Sequence, residues 1–236
     1  MDEHLRTARA DLARLVERGR AGELSALPAL HRADRRAHAD YRPAAVLLAF
    51  TPTTASPARF PAVDLFLVQR SPLLRHHPGQ IALPGGRTDP GDDGPVGTAL
   101  REAHEEIGLA PERVEVIGAL PQVAVPVSRF LVTPVVGWAA DAHGLETVEE
   151  GEVLHTLRVS VADLLAPEAR ATVTMHHFGT AGFAVDGGWV WGFTGNLLSA
   201  AFDELGWTRP WDAGRTYRMS VAEARGDDLP PATAEG

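Results

Sequence analysis

The 236-residue chain has no cysteine, its 22 basic residues are all arginine, and it carries a single asparagine, Asn196. Without cysteine there can be no disulfide, no thiolate metal ligand and no cysteine nucleophile, so a bound metal must draw on oxygen or imidazole. The lack of lysine excludes Schiff-base chemistry. No apolar run approaches the roughly 20 residues of a membrane span. The opening segment MDEHLRTARADLARLVERGR is dense in charge and lacks the apolar centre of a secretory signal. These features predict a cytoplasmic protein that engages no membrane. Positive charge is also short: the formal net charge is −9, which argues against a broad basic surface for nucleic acid, since phosphate neutralisation needs clustered cations. Arginine recurs between Arg70 and Arg87, which leaves room for a small anionic ligand.

With 44% hydrophobic and 22% charged residues, the chain has the composition of a globular protein able to bury a substantial core in one large domain. Leu5, Leu12, Leu15 and Val16 recur near one stripe and predict an amphipathic helix over 3–19. The segments 44–50 and 64–70 are rich in Val, Leu and Phe and predict neighbouring strands. From Arg70 to Gly97, five prolines and six glycines exclude a long regular element. Residues 98–107 are dense in helix formers, with Gly108 placed to end the helix. Downstream, 114–120, 130–139, 152–161 and 190–194 read as strands, and 195–205 reads as a helix. The expected fold is α/β, a mixed sheet with helices on both faces. Its expected divisions are an N-terminal helix over 1–30, a main domain over 31–211 and a loose tail over 212–236.

The most informative segment is R-E-A-H-E-E-I-G at 101–108, which follows Pro-Gly-Gly at 84–86. On a helix, Glu102, Glu105 and Glu106 fall on or near one face. Like charges so placed repel, at a cost of a few tenths of a kcal/mol per exposed pair, unless cations offset them. A hard divalent ion does so, because Mg²⁺ and Mn²⁺ take oxygen ligands and bridge carboxylates to phosphate oxygens. Gly85 and Gly86 would let backbone groups approach the same ion or phosphate, and Arg101 can steady a loop carboxylate such as Asp92 or Asp93. The bland alternative is a solvated acidic helix face. His76-His77 and His176-His177 lack the spacing of a helical zinc site, and Trp189 and Trp191 read as core residues before they read as a stacking platform for a base.

The segment resembles the Nudix box, G-x5-E-x7-R-E-U-x-E-E-x-G-U with U apolar. Gly86, Arg101, Glu102, Ala103, Glu105, Glu106, Gly108 and Leu109 fill its positions. Asp93 or Asp92 stands for the first Glu, and the spacing to Asp93 is one residue longer than the pattern. Just upstream, Arg70, Ser71, Arg75, Gly79 and Pro84-Gly85-Gly86 resemble the R-S-x3-R-x3-G-x3-F-P-G-G signature of the coenzyme A pyrophosphatase branch, with Leu83 in place of Phe. The likeness extends over about residues 44–205.

The resemblance implies a Nudix-like α/β/α sandwich and cleavage of the pyrophosphate of coenzyme A to 4′-phosphopantetheine and adenosine 3′,5′-bisphosphate. It implies Mg²⁺ or Mn²⁺ held by Glu102, Glu105, Glu106 and the Gly86 carbonyl. Arg101 would orient the loop, Glu102 or Glu152 would act as base, and Arg70, Ser71, Arg75 and Gly79 would contact the substrate. The expected partner is a small nucleotide of the CoA type, and a homodimer is among the assemblies expected. Three other readings stay open: a Nudix hydrolase of ADP-ribose, dinucleotides or nucleoside triphosphates, a Nudix-fold binding module without turnover, and a calcium-binding protein. The last is disfavoured because the acids lie on a helix and lack EF-hand spacing.

Overall fold

The computed structural model describes residues 3–29, 39–53, 59–74, 77–142, 144–145 and 151–227. Helix α1 (Glu3–Ala21) and the short α2 (Ala26–Ala29) precede β1 (Arg42–Pro52), β2 (Val63–Arg70), β3 (Ile81–Ala82) and β4 (Gly85–Arg87). Then come α3 (Gly94–Ile107), β5 (Glu115–Ala119), β6 (Val123–Val125), β7 (Phe130–Trp138), β8 (Val153–Ser160) and α4 (Val161–Leu164). The order closes with β9 (Arg170–Met175), β10 (Phe178–Val185), β11 (Gly188–Val190), α5 (Gly192–Glu204), β12 (Thr216–Arg218) and α6 (Val221–Arg225).

The main sheet is mixed, as the sequence pattern requires. β1 runs parallel to β7 from Arg42↔Phe130 to Phe50↔Trp138, while β2 and β8 are antiparallel. Alternation along the central strands assigns their faces. Leu47 and Ala49 of β1, with Phe66 and Val68 of β2, pack with Ala99, Ala103 and Ile107 of α3. Leu48 and Phe50, with Leu65 and Leu67, pack with Leu12, Leu15 and Val16 of α1 and Leu197, Leu198 and Phe202 of α5. Two helical layers therefore enclose the sheet. α1 is fastened by a buried hydrogen bond, Trp207 Nε1 donating to Asp11 Oδ2 at 2.9 Å.

What positions the candidate site is the divided edge of β1. Its end at Phe50–Pro52 pairs with β2, its beginning at Ala44–Val46 pairs with β4, and between them Leu47 N donates to Pro84 O at 2.8 Å. β3 likewise takes the edge of β2 at Val68 and Gln69. β1 and β2 thus separate beyond their short contact, and the 81–87 segment fills the gap. The Pro-Gly-Gly turn is thereby carried into the sheet beneath α3.

Three local expectations need correction. Residues 192–194 do not extend a strand: β11 stops at Val190, Gly192 takes φ 64°, and α5 starts there. The helix expected from 98 begins at 94, because Pro95 lies in the first turn, where its missing N–H costs nothing. A second, four-stranded sheet in the order β11-β10-β9-β12 was not expected. Past residue 211 the chain keeps regular structure: Thr216–Arg218 runs parallel to β9, and Ser220 and Glu223 form a capping box at the start of α6. Trp211 also lies against the buried Arg170 guanidinium, 4.8 Å from its ring centroid, with Phe183 4.2 Å away. Only the last nine residues, 228–236, of the expected tail lie outside the described residues.

Candidate active site

α3 ends in a left-handed Gly108 at φ 67°, whose N–H is bonded to carbonyls of the last turn. The helix lies along the loop 85–93 from Thr98 near its start to Glu106 near its end. Glu106 is 2% exposed and accepts a hydrogen bond from Gly85 N at 2.9 Å. One turn earlier, Glu102 lies against Gly86 so closely that a Cβ there would stand 2.4 Å from Glu102 Oε1. Gly85 has no alternative either, with φ +155° and an added Cβ 2.4 Å from Ala45 O. The two glycines therefore serve close approach, and they hold two carboxylates one helical turn apart against one dipeptide.

Arg101 organises the loop. Its Nε donates to Asp92 Oδ1 at 2.8 Å and its Nη2 to Asp92 Oδ2 at 3.1 Å. Nη2 also donates to the Arg87 carbonyl at 3.1 Å, and Nη1 to Glu105 Oε2 at 2.9 Å. Asp92 accepts further bonds from Asp89 N at 2.8 Å and Thr98 Oγ1 at 2.9 Å. The hydrogen bonds from Arg101 above all hold the Asp92 carboxyl well below the usual carboxylate range, against the opposing effect of its burial. Asp93 makes no side-chain cap contact with α3. The loop carboxylate of the box is thus Asp92, at the pattern's own distance from Gly86, and the extra residue lies between Asp92 and the helix.

Arg70 closes the site from β2. Its guanidinium stands 3.8 Å from Glu106 Oε1 and 3.9 Å from Glu152 Oε2. Glu152 is brought there by the backbone, Ser71 N donating to Glu152 O at 2.8 Å as β8 begins alongside β2.

The expected residues are therefore distributed unevenly. Glu102, Glu106, Gly86, Arg101, Arg70 and Glu152 come together. Arg101 pairs with both Glu102 and Glu105 at 2.9 Å, but Glu105 is the more exposed, its side chain at 48%. Ser71 is buried, and its Oγ accepts from Leu73 N at 3.3 Å, so it shapes the loop. Gly79, at φ 68°, lines a cavity on the other face of β2. Arg75 lies outside the described residues. The part of Asp92, at the box spacing, was readable in the sequence but not separable from that of Asp93.

The donors fit a hard divalent ion: two carboxylates one turn apart, a loop of peptide carbonyls, and neither thiol nor imidazole. Among the described residues no group of three His, Cys, Asp or Glu is gathered closely enough to hold an ion unaided. Glu102 and Glu106 would have to be completed by backbone oxygen, or by Glu105 turning away from Arg101.

An α/β/α sandwich thus carries a glycine loop and an acidic helix packed against each other. Residues 41–177, more than half of the chain, match the NUDIX domain, and the chain belongs to the Nudix family. Over 79 residues it is 56% identical to the uncharacterized Nudix hydrolase NudL of Klebsiella aerogenes, covering 34% of this chain and 65% of that protein. The corresponding NudL of Klebsiella pneumoniae (strain 342) is 57% identical over 79 residues, 34% of this chain and 41% of that protein. The chain thus spans less than two thirds of the length of these relatives. NudL of Salmonella newport is 36% identical over 155 residues, covering 63% of this chain and 78% of that protein. Among solved structures, the Nudix hydrolase RenU of M. smegmatis aligns with a TM-score of 0.41 and 28% identity over 50% of this chain and 70% of that one. No helix among the described residues is long and apolar enough to cross a membrane.

Proposed function

We propose that the chain is a metal-dependent pyrophosphohydrolase acting in the cytoplasm on coenzyme A or its derivatives, releasing 4′-phosphopantetheine and adenosine 3′,5′-bisphosphate. The observation that carries this reading is the docking of Glu102 and Glu106 on Gly85–Gly86, with Arg70 of the signature loop 3.8 Å from Glu106.

Glu102, Glu106 and the Gly86 carbonyl would hold Mg²⁺ or Mn²⁺, with Glu105 as a further donor. When bound, the ion neutralises pyrophosphate charge and acidifies a water. The residues of the chain do the rest. Arg101, through Asp92 and the Arg87 carbonyl, fixes the loop so that its backbone groups meet the substrate in one geometry, which saves the entropy of ordering it during reaction. Glu102, or Glu152 at the open end of the site, takes the proton of the attacking water. Arg70 holds a place between two carboxylates and can turn its planar fork to a phosphate.

The test is a substrate panel of CoA, oxidised CoA, acyl-CoA, ADP-ribose and dinucleoside polyphosphates, with mass-spectrometric identification of products. The reading expects CoA compounds to be preferred and that preference to collapse in Arg70→Ala. If ADP-ribose leads and Arg70→Ala leaves relative rates alone, the CoA assignment is wrong.

A further inference from the structure

Alternation along β2 divides its last two side chains. Arg70 continues the face of Phe66 and Val68 toward α3, whereas Gln69 continues the face of Leu65 and Leu67. On the Gln69 side lies a pocket of about 350 Å³, near the lower end of the roughly 300–1,000 Å³ of small-molecule sites. One wall is the main-sheet edge, with Gln69, Gln80 and Ile81. The other is the second sheet and the C-terminal segment, with Trp189, Trp191 and Tyr217. The sheet layer separates this pocket from Glu102 and Glu106.

Its chemistry is specific. Trp189 and Tyr217 stand with ring centroids 4.6 Å apart and 31° between their planes, and Trp191 also lines the space. Tyr217 is held by donating its hydroxyl hydrogen to Glu223, a residue also fixed by the Ser220 capping box. Gln69 is 3% exposed, and its Nε2 donates to Gly187 O at 3.2 Å. That carbonyl can only accept, which determines the amide orientation. The other amide atom, Oε1, has no hydrogen-bond donor among the described residues, yet it is not among the fully enclosed unpartnered atoms. It is therefore a buried acceptor open to the pocket. Among the described residues no arginine lines the space and Glu223 does, which disfavours phosphate or carboxylate there. Aromatic walls accept the face of any base, and the acceptors Gln69 Oε1 and Glu223 call for an N–H donor.

We infer that this pocket is a binding site for a planar heteroaromatic base carrying an exocyclic N–H donor, of which adenine is the type. It stacks on the Trp189, Trp191 and Tyr217 wall and donates to Gln69 Oε1. Binding of the base alone does not depend on the pyrophosphatase reading, since neither Glu102 nor Glu106 lines the pocket.

The experiment is titration of the full chain with adenosine in the presence of a chelator, followed by tryptophan fluorescence and equilibrium dialysis. Saturable one-site binding is expected, unchanged in Glu106→Gln and weakened about tenfold or more in Tyr217→Ala. Gln69→Met keeps the volume and removes the acceptor, so it guards against a variant that fails to fold. N6,N6-dimethyladenosine, lacking the exocyclic N–H, should bind wild type as weakly as adenosine binds Gln69→Met. No saturable binding to wild type overturns the inference, and so does binding that survives both pocket variants or vanishes in Glu106→Gln. Where turnover is measurable, adenosine that raises KM alone identifies the occupant as the base of the nucleotide substrate. Adenosine that alters kcat identifies it as a free nucleoside. The pocket is the base site in both cases.

Discussion

Arg101 and Asp92 form the tightest charged contact of the candidate site, with two guanidinium nitrogens on the two carboxylate oxygens at 2.8 and 3.1 Å. Asp92 is only 6% exposed at its side chain, and two further donors complete it. A loop without regular structure is thus fixed from the helix it precedes.

That contact has a pH signature. The Asp92 carboxyl is depressed below its ordinary value of 3.8 in the folded protein, so its contribution is complete above that value and is lost as pH falls below it. Asp92→Asn should therefore be less stable than wild type at neutral pH by an amount that stays level down to about pH 4.5 and shrinks below it. Urea unfolding midpoints of both proteins between pH 3 and 7 check this. A gap that is flat through pH 3 would contradict the pairing.

Gly86→Ala tests the close approach. The new Cβ would stand 2.4 Å from the end of the Glu102 side chain, a flexible end that can swing away but only by leaving the loop and its 2.9 Å pair with Arg101. Turnover should fall by about 100-fold, the usual effect of displacing a positioned group by 1 Å, while the protein stays folded and its melting temperature drops by only a few degrees. Retained activity would show that Glu102 need not touch this glycine.

The buried Trp207–Asp11 bond tests the docking of α1. Asp11→Ala leaves the indole N–H of Trp207, 4% exposed, without its partner and should cost about 1–3 kcal/mol. In a chain of this size that lowers the melting temperature by about 2–4 °C per kcal/mol. Calorimetry measures it, and no shift would mean that α1 contributes little to the core.

Much of this arrangement was legible in the sequence because period and chemistry agreed. The apolar alternation of 44–50 and 64–70 sets the two faces of the central strands, and the Arg-Glu-x-x-Glu-Glu spacing puts Glu102 and Glu106 one turn apart. What was not legible depended on tertiary contact or on weak local signals. β9 and β10 carry Thr, Ala and Gly where a strand pattern would carry larger apolar residues, so their pairing could not be read from hydrophobicity. The choice between Asp92 and Asp93 is a question of loop register, decided by where Arg101 reaches. The Ser220–Glu223 capping box was readable as Ser-x-x-Glu, but polar composition masked it. The aromatic pocket needs a parallel strand, β12, which begins at Thr216, 46 residues beyond the start of β9 at Arg170, and no local pattern announces it.

The most direct measurement is hydrolysis of CoA by wild type and Glu106→Gln in the presence of Mg²⁺ or Mn²⁺. Glutamine can still accept the Gly85 N–H bond, so the variant should fold, while the carboxylate charge is gone. Wild type is expected to release 4′-phosphopantetheine and adenosine 3′,5′-bisphosphate in equal amounts, with Glu106→Gln slower by about 100-fold or more. A Glu106→Gln protein as active as wild type, or a wild type that cleaves no pyrophosphate compound at any metal concentration, would contradict the account.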